Sequence, residues 1–67
     1  MTARGIVATF DEHVGLGTID AGGRSIPFHC AEIRDGTRTI RIGTEVEFES
    51  QLKFGRPEAF SVVTISG

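Results

Sequence analysis

The residues with chemistry to offer are few: the neighbours His29 and Cys30, an earlier His13, a Gly15-Leu16-Gly17 run and a scatter of arginines. His29 and Cys30 would suit nucleophilic catalysis if thiolate and imidazole met, but adjacent residues on a strand point to opposite faces. Gly15-Leu16-Gly17 lacks the remaining glycine and the following helix of a dinucleotide site, and no Lys-Ser/Thr follows it as in a P-loop. Two histidines and one cysteine could supply metal donors, yet no Cys/His spacing matches a known site. No catalysis, metal or cofactor is expected, and the search for function turns to binding surfaces.

The elements that would carry such a surface are strands. Nothing sustains an i, i+3, i+4 pattern, whereas short alternating or β-branched runs sit between turn signals. The first strand is Gly5 to Phe10, closed by Asp11-Glu12-His13. Val14 to Cys30 reads as one β-hairpin around Gly22-Gly23, a pair that reaches the positive φ of a tight turn. Ala31-Glu32-Ile33 makes a single 3₁₀ turn, Asp35-Gly36 signals another turn, and the connection up to Thr44 is the longest in the chain. Strand four, Glu45 to Glu49, faces Val46 and Phe48 inward and three glutamates outward. Gln51 to Pro57 reads as a loop carrying Gly55. Strand five runs from about Glu58 to Ile65, with a bulge at Val62-Val63 where alternation breaks. The pattern predicts an all-β, five-stranded antiparallel Greek-key barrel of the OB type with a short 3₁₀ turn after strand three.

Bulk properties fit that economy. Sixty-seven residues make one domain, 1–67, and with 39% hydrophobic and 24% charged residues the composition is that of a globular domain. A formal net charge of −2 supplies no global attraction to phosphate, so any anion binding must be local. The single Cys30 excludes an internal disulfide and fits a reducing compartment. Met1 to Gly5 has no apolar leader segment and no run approaches a membrane span, so a cytoplasmic protein without membrane association is expected.

With these elements in order, the sequence resembles the cold-shock domain family, small OB barrels that bind single-stranded RNA and DNA. Gly5-Ile6-Val7-Ala8-Thr9-Phe10-Asp11 stands where the family reads Gly-x-Val-Lys-Trp-Phe-Asn, and Val14-Gly15-Leu16-Gly17-Thr18-Ile19 where it reads Lys-Gly-Phe-Gly-Phe-Ile. Ile26-Pro27-Phe28-His29 takes the place of Val-Phe-Val-His, with Ile33 following, and Gly43 to Phe48 matches Gly-x-x-Val-x-Phe. The likeness covers nearly the whole chain. Gly15, Gly17, Ile19, Ile26, Phe28, Ile33, Val46 and Phe48 are the positions a barrel needs for turns and core.

The departures fall on the ligand face. The resemblance implies stacking aromatics there, with lysines near the phosphates. Instead Thr9 replaces Trp, Leu16, Thr18 and Pro27 replace Phe, and Cys30 stands where Phe is frequent; Ala8 and Val14 replace lysines. Only His29, and Phe10 on or near the face, keep the family identity. A stacked base is worth roughly 1–3 kcal/mol, so losing about four platforms costs at least a thousandfold in affinity.

Two functions therefore stand side by side. One is weak, little-selective binding of single-stranded RNA or DNA by Thr9, Phe10, Leu16, Thr18, Pro27 and His29, with Arg34, Arg38 and Arg56 on loops following the phosphates. The other is a barrel that has lost nucleic-acid binding and engages a protein partner or itself, with Phe54 and Phe60 as core-completing residues or exposed anchors. The arginines have a plainer reading too, as solvated loop charges balanced by Glu32 and Asp35. Pro27 donates no ladder hydrogen bond, so its nitrogen is expected to face a gap in the barrel.

Overall fold

Alternating apolar side chains close five strands on one another: β1 (Thr2–Asp11), β2 (Leu16–Ala21), β3 (Arg24–His29), β4 (Glu45–Lys53) and β5 (Arg56–Thr64), with a 3₁₀ turn at Cys30–Glu32. The structure is a computed structural model and describes residues 2–34, 36 and 38–65. The ring order is β1-β2-β3-β5-β4, a closed barrel. Its core is Val7, Ile19, Ile26, Phe28, Ile33, Val46, Phe48, Ala59 and Val62, every one of them buried. The expected inward set from Ile19 to Phe48 is thus in place, and Val46 and Phe48 turn Glu45, Glu47 and Glu49 to the other face of β4.

Three details depart from the sequence reading. The barrel is mostly antiparallel, but β3 and β5 meet in parallel at a single bridge, Phe28 to Ala59, because the long connection carries the chain across the barrel end between β3 and β4. The expected loop from Gln51 to Pro57 is strand almost throughout: Gln51 pairs with Glu58, Leu52 with Pro57 and Lys53 with Arg56. Only Phe54-Gly55 remains as the turn, with φ of 53° and 78°, the paired positive values that let a two-residue turn follow the twist of its strands. The predicted bulge exists but its extra residue is Ser61, at φ 53°, where β5 spends three residues against two of β4. That insertion turns both Ala59 and Val62 inward. The Glu32 carboxylate accepts the bulge amide, Ser61 N–H, at 3.1 Å, tying the 3₁₀ turn to β5.

A second bulge, in β1, decides which side chains reach the surface. Val7 pairs with Ile19 and Thr9 with Thr18, so Ala8 is an extra residue. Without it, alternation from the buried Val7 would send Thr9 inward and Phe10 outward; the insertion reverses both. Gly17, opposite Phe10, permits close packing there: a Cβ would lie 2.5 Å from the Thr9 carbonyl and 2.8 Å from the Phe28 ring. The β2–β3 hairpin turns on Gly22-Gly23 as expected, at φ 61° and 83°. Of the turn expected at Asp35-Gly36, Asp35 lies outside the described residues; Gly36 N–H reaches the Ile33 carbonyl at 3.3 Å.

Candidate functional site

Strand register assembles the candidate residues in rows. Thr9 pairs with Thr18 and Thr18 with Pro27, and the next outward row is Asp11, Leu16 and His29. Neighbouring strands lie about 4.8 Å apart and successive same-face residues just under 7 Å, so the two rows form a patch roughly 10 Å across. Leu16 is half exposed at its centre, beside an exposed Val14. The Thr9 and Thr18 hydroxyls bond each other at 2.8 Å, which leaves the patch largely apolar in character. Asp11 brings a carboxylate to the edge of the patch, where it accepts His13 N–H at 2.9 Å and Val14 N–H at 3.4 Å within its own turn.

Pro27 occupies the middle row without breaking the ladder. Cys30 N–H donates to the Gly15 carbonyl at 2.8 Å, and alternation from that pair makes Thr18–Pro27 non-hydrogen-bonded. The proline nitrogen is thereby directed away from β2, toward β5, where β3 has only the Phe28–Ala59 bridge. This is the gap its missing donor requires.

His29 ends β3 and caps the 3₁₀ turn. Its Nδ1 accepts Ala31 N–H at 3.0 Å, with Cys30 Sγ 3.9 Å away. Because Nδ1 is accepting, the neutral ring carries its proton on Nε2, and that N–H is the atom left for a ligand. The residue thus has a structural duty and a free donor at once.

Other candidates lie elsewhere. Phe10, reversed by the β1 bulge, sits in the inward row with Gly17 and Phe28 and stacks on Phe28 with ring centroids 5.9 Å apart and planes 10° from parallel. Its remaining surface lines an open cleft of about 640 Å³ at the barrel end, with Glu12, Ile40 and Arg41, away from the outer face. Arg34 follows the 3₁₀ turn beside Val62 and Val63, Arg38 is exposed in the long connection at φ 57°, and Arg56 opens β5 at the opposite end of the barrel. The three arginines make no cluster. None has an ion-pair partner among the described residues.

On the far side of β1 the surface is acidic. Glu45, Glu47 and Glu49 pair in register with Ile6, Arg4 and Thr2; Arg4 reaches Glu47 at 3.4 Å and the Thr2 hydroxyl donates to Glu49 at 3.0 Å. β1 therefore divides the outer face of β1–β3, which carries the exposed carboxylates of Asp11 and Asp20, from a β4 face that carries three, Glu45, Glu47 and Glu49. Of the unexpected aromatics, Phe60 is half-buried on β5, whereas Phe54 is 96% exposed at the β4–β5 turn and takes no part in the core. The signal for that was its place between Lys53 and Gly55, where the Gly marks a turn. Among the described residues no group of His, Cys, Asp and Glu could hold a metal ion, and no helix is long and apolar enough to cross a membrane.

Comparison with known proteins places this geometry in context. The model of the "cold-shock" DNA-binding domain matches residues 3–65. Among solved structures, the Drosophila protein titled Unr CSD456 superposes with a TM-score of 0.82 at 28% identity over 98% of this chain. The chain spans only 27% of the length of that one. No curated protein sequence gives a significant match.

Proposed function

The chain belongs to the family of the cold-shock DNA-binding domain, and from that premise we propose that it binds single-stranded nucleic acid weakly and with little sequence preference, on the outer face of β1–β3. The observation that carries this reading is the register. It gathers Thr9, Leu16, Thr18, Pro27 and His29 on one continuous face, with no aromatic platform among the three strands' outward residues apart from the imidazole. Bases would lie against Leu16, the threonine methyls and the Pro27 ring, and His29 Nε2–H would donate to a base or phosphate oxygen. Such groups give contact area but no π-face, hence weak and sequence-tolerant binding.

The charge layout favours a path. The three carboxylates beyond β1, Glu45, Glu47 and Glu49, outnumber Asp11 and Asp20 on the outer face, so the strand's backbone runs on the β2–β3 side, toward Arg34 and Arg38 at one end and Arg56 at the other, which have no ion-pair partner among the described residues. A cytoplasmic setting accords with the lone thiol. The alternative, one apolar protein-binding patch joining Leu16, Pro27 and Phe54, has less support, since Leu16 and Phe54 belong to opposite ends of the barrel.

Titration with a pyrimidine oligonucleotide, followed by backbone NMR at two salt concentrations, tests the proposal. Shifts confined to β1–β3 that shrink with added salt are expected. Unchanged spectra at millimolar ligand and low salt would end it.

A further inference from the structure

Phe54 is costly to the fold twice over at a single position. Its ring is 96% exposed, so it contributes nothing to the core. Its backbone sits at φ 53°, where a bulky aromatic is an outlier and where a two-residue turn ordinarily carries Asn or Gly. The other hairpin at this end of the barrel meets the same demand with Gly22-Gly23. A strained and solvated aromatic points to use by a ligand.

The neighbours say what kind. Lys53 and Arg56 pair across the turn, so each strand carries a cation next to the Phe54-Gly55 turn. Arg56 has no carboxylate partner among the described residues, and Lys53 has only a loose one, Glu58 at 3.9 Å. Because β3 and β5 run parallel, Arg24 at the start of β3 lies at this same end. Lysine is depleted from the centre of protein–protein contacts, whereas an exposed ring on a turn flanked by two cationic residues matches a polymer that alternates π-faces with anions.

We propose that the β4–β5 turn is a second contact point for single-stranded nucleic acid: Phe54 stacks on an unpaired base while Lys53 and Arg56 meet the flanking phosphates. This rests on the nucleic-acid reading above and adds to it the aromatic platform that the β1–β3 face lacks. It also lengthens the bound segment, carrying it from His29 down to the opposite end of the barrel.

The chain contains no tryptophan, so Phe54→Trp installs a lone reporter. Titrated with a short oligothymidylate, this variant should bind at least as tightly as the parent and lose much of its indole emission as a base stacks on it. Phe54→Ala should weaken binding about fivefold or more, consistent with the loss of one stacked base. Lys53→Gln with Arg56→Gln should lower the slope of log K against log salt by about 1.4, the value for two single-strand phosphate contacts. If β1–β3 amides shift on titration while indole emission and Phe54→Ala affinity stay unchanged, the turn proposal fails and the face reading survives. If neither region responds, both fall. If instead the free protein self-associates in sedimentation and Phe54→Ala abolishes that, the ring serves a second copy and the proposal is overturned.

Discussion

The β2–β3 and β4–β5 hairpins turn at the same end of the barrel on two residues of positive φ, and they distribute their large side chains in opposite ways. β2–β3 keeps Ile19, Ile26 and Phe28 in the core, a bare Gly22-Gly23 turn, and an outer face of Leu16, Thr18 and Pro27. β4–β5 also buries its share, Val46, Phe48, Ala59 and Val62, but puts a phenylalanine on the turn itself. The first hairpin has what packing demands and little that a base would grip; the second has an aromatic that packing does not demand. Retention of the fold and retention of a ligand grip are thus separable, and in this chain they sit on different hairpins.

The largest expected effect removes the packing that the first hairpin retains. Phe28→Ala should cost about 3–5 kcal/mol, most of the stability of a domain this small, and urea denaturation should find the variant largely unfolded at room temperature. Next, restoring platforms on the outer face with Thr9→Trp, Thr18→Phe and Pro27→Phe together should tighten oligonucleotide binding at least tenfold, about 1.4 kcal/mol, by fluorescence anisotropy. No gain would mean that the face has lost its geometry as well as its rings. His29→Ala deletes the acceptor for Ala31 N–H and should lower stability by about 1 kcal/mol, visible as a fall in the denaturation midpoint. Smallest is Phe54→Asn, which should raise stability by about 0.5 kcal/mol, since Asn tolerates the turn's positive φ and no packing is lost. A stability loss there would show that the ring supports the fold, and the contrast between the hairpins would collapse.

Much of this barrel was legible in the sequence because period-two alternation reports directly on which side chains are buried. Ile19, Ile26, Phe28, Val46 and Phe48 follow from it, as does the Gly22-Gly23 turn. The inward turn of Phe10 is not legible in the sequence, because a one-residue insertion at Ala8 inverts the phase and alanine carries no sign that it will be left unpaired. The β4–β5 turn was hidden for a related reason: Phe-Gly lacks the Asn-Gly or Gly-Gly signature, so paired residues from Gln51 to Pro57 read as loop. The capping role of His29 depends on a backbone amide two residues onward, which residue types alone do not place.

The seam between β3 and β5 sets the order in which the barrel comes apart. Among the described residues, one parallel bridge, Phe28 to Ala59, and a second from Ile33 to Val62 make up the strand pairing there, while β1–β2 and β4–β5 are paired along most of their length. The Glu32 carboxylate on Ser61 N–H acts as an added stitch. Opening at this line leaves a sheet with strand order β3-β2-β1-β4-β5 whose ladders are all intact, so amides along the seam should exchange with solvent at lower cost than those inside either hairpin. The cylinder behaves as a rolled ribbon fastened along one edge, and that edge runs beside Pro27 on the proposed binding face.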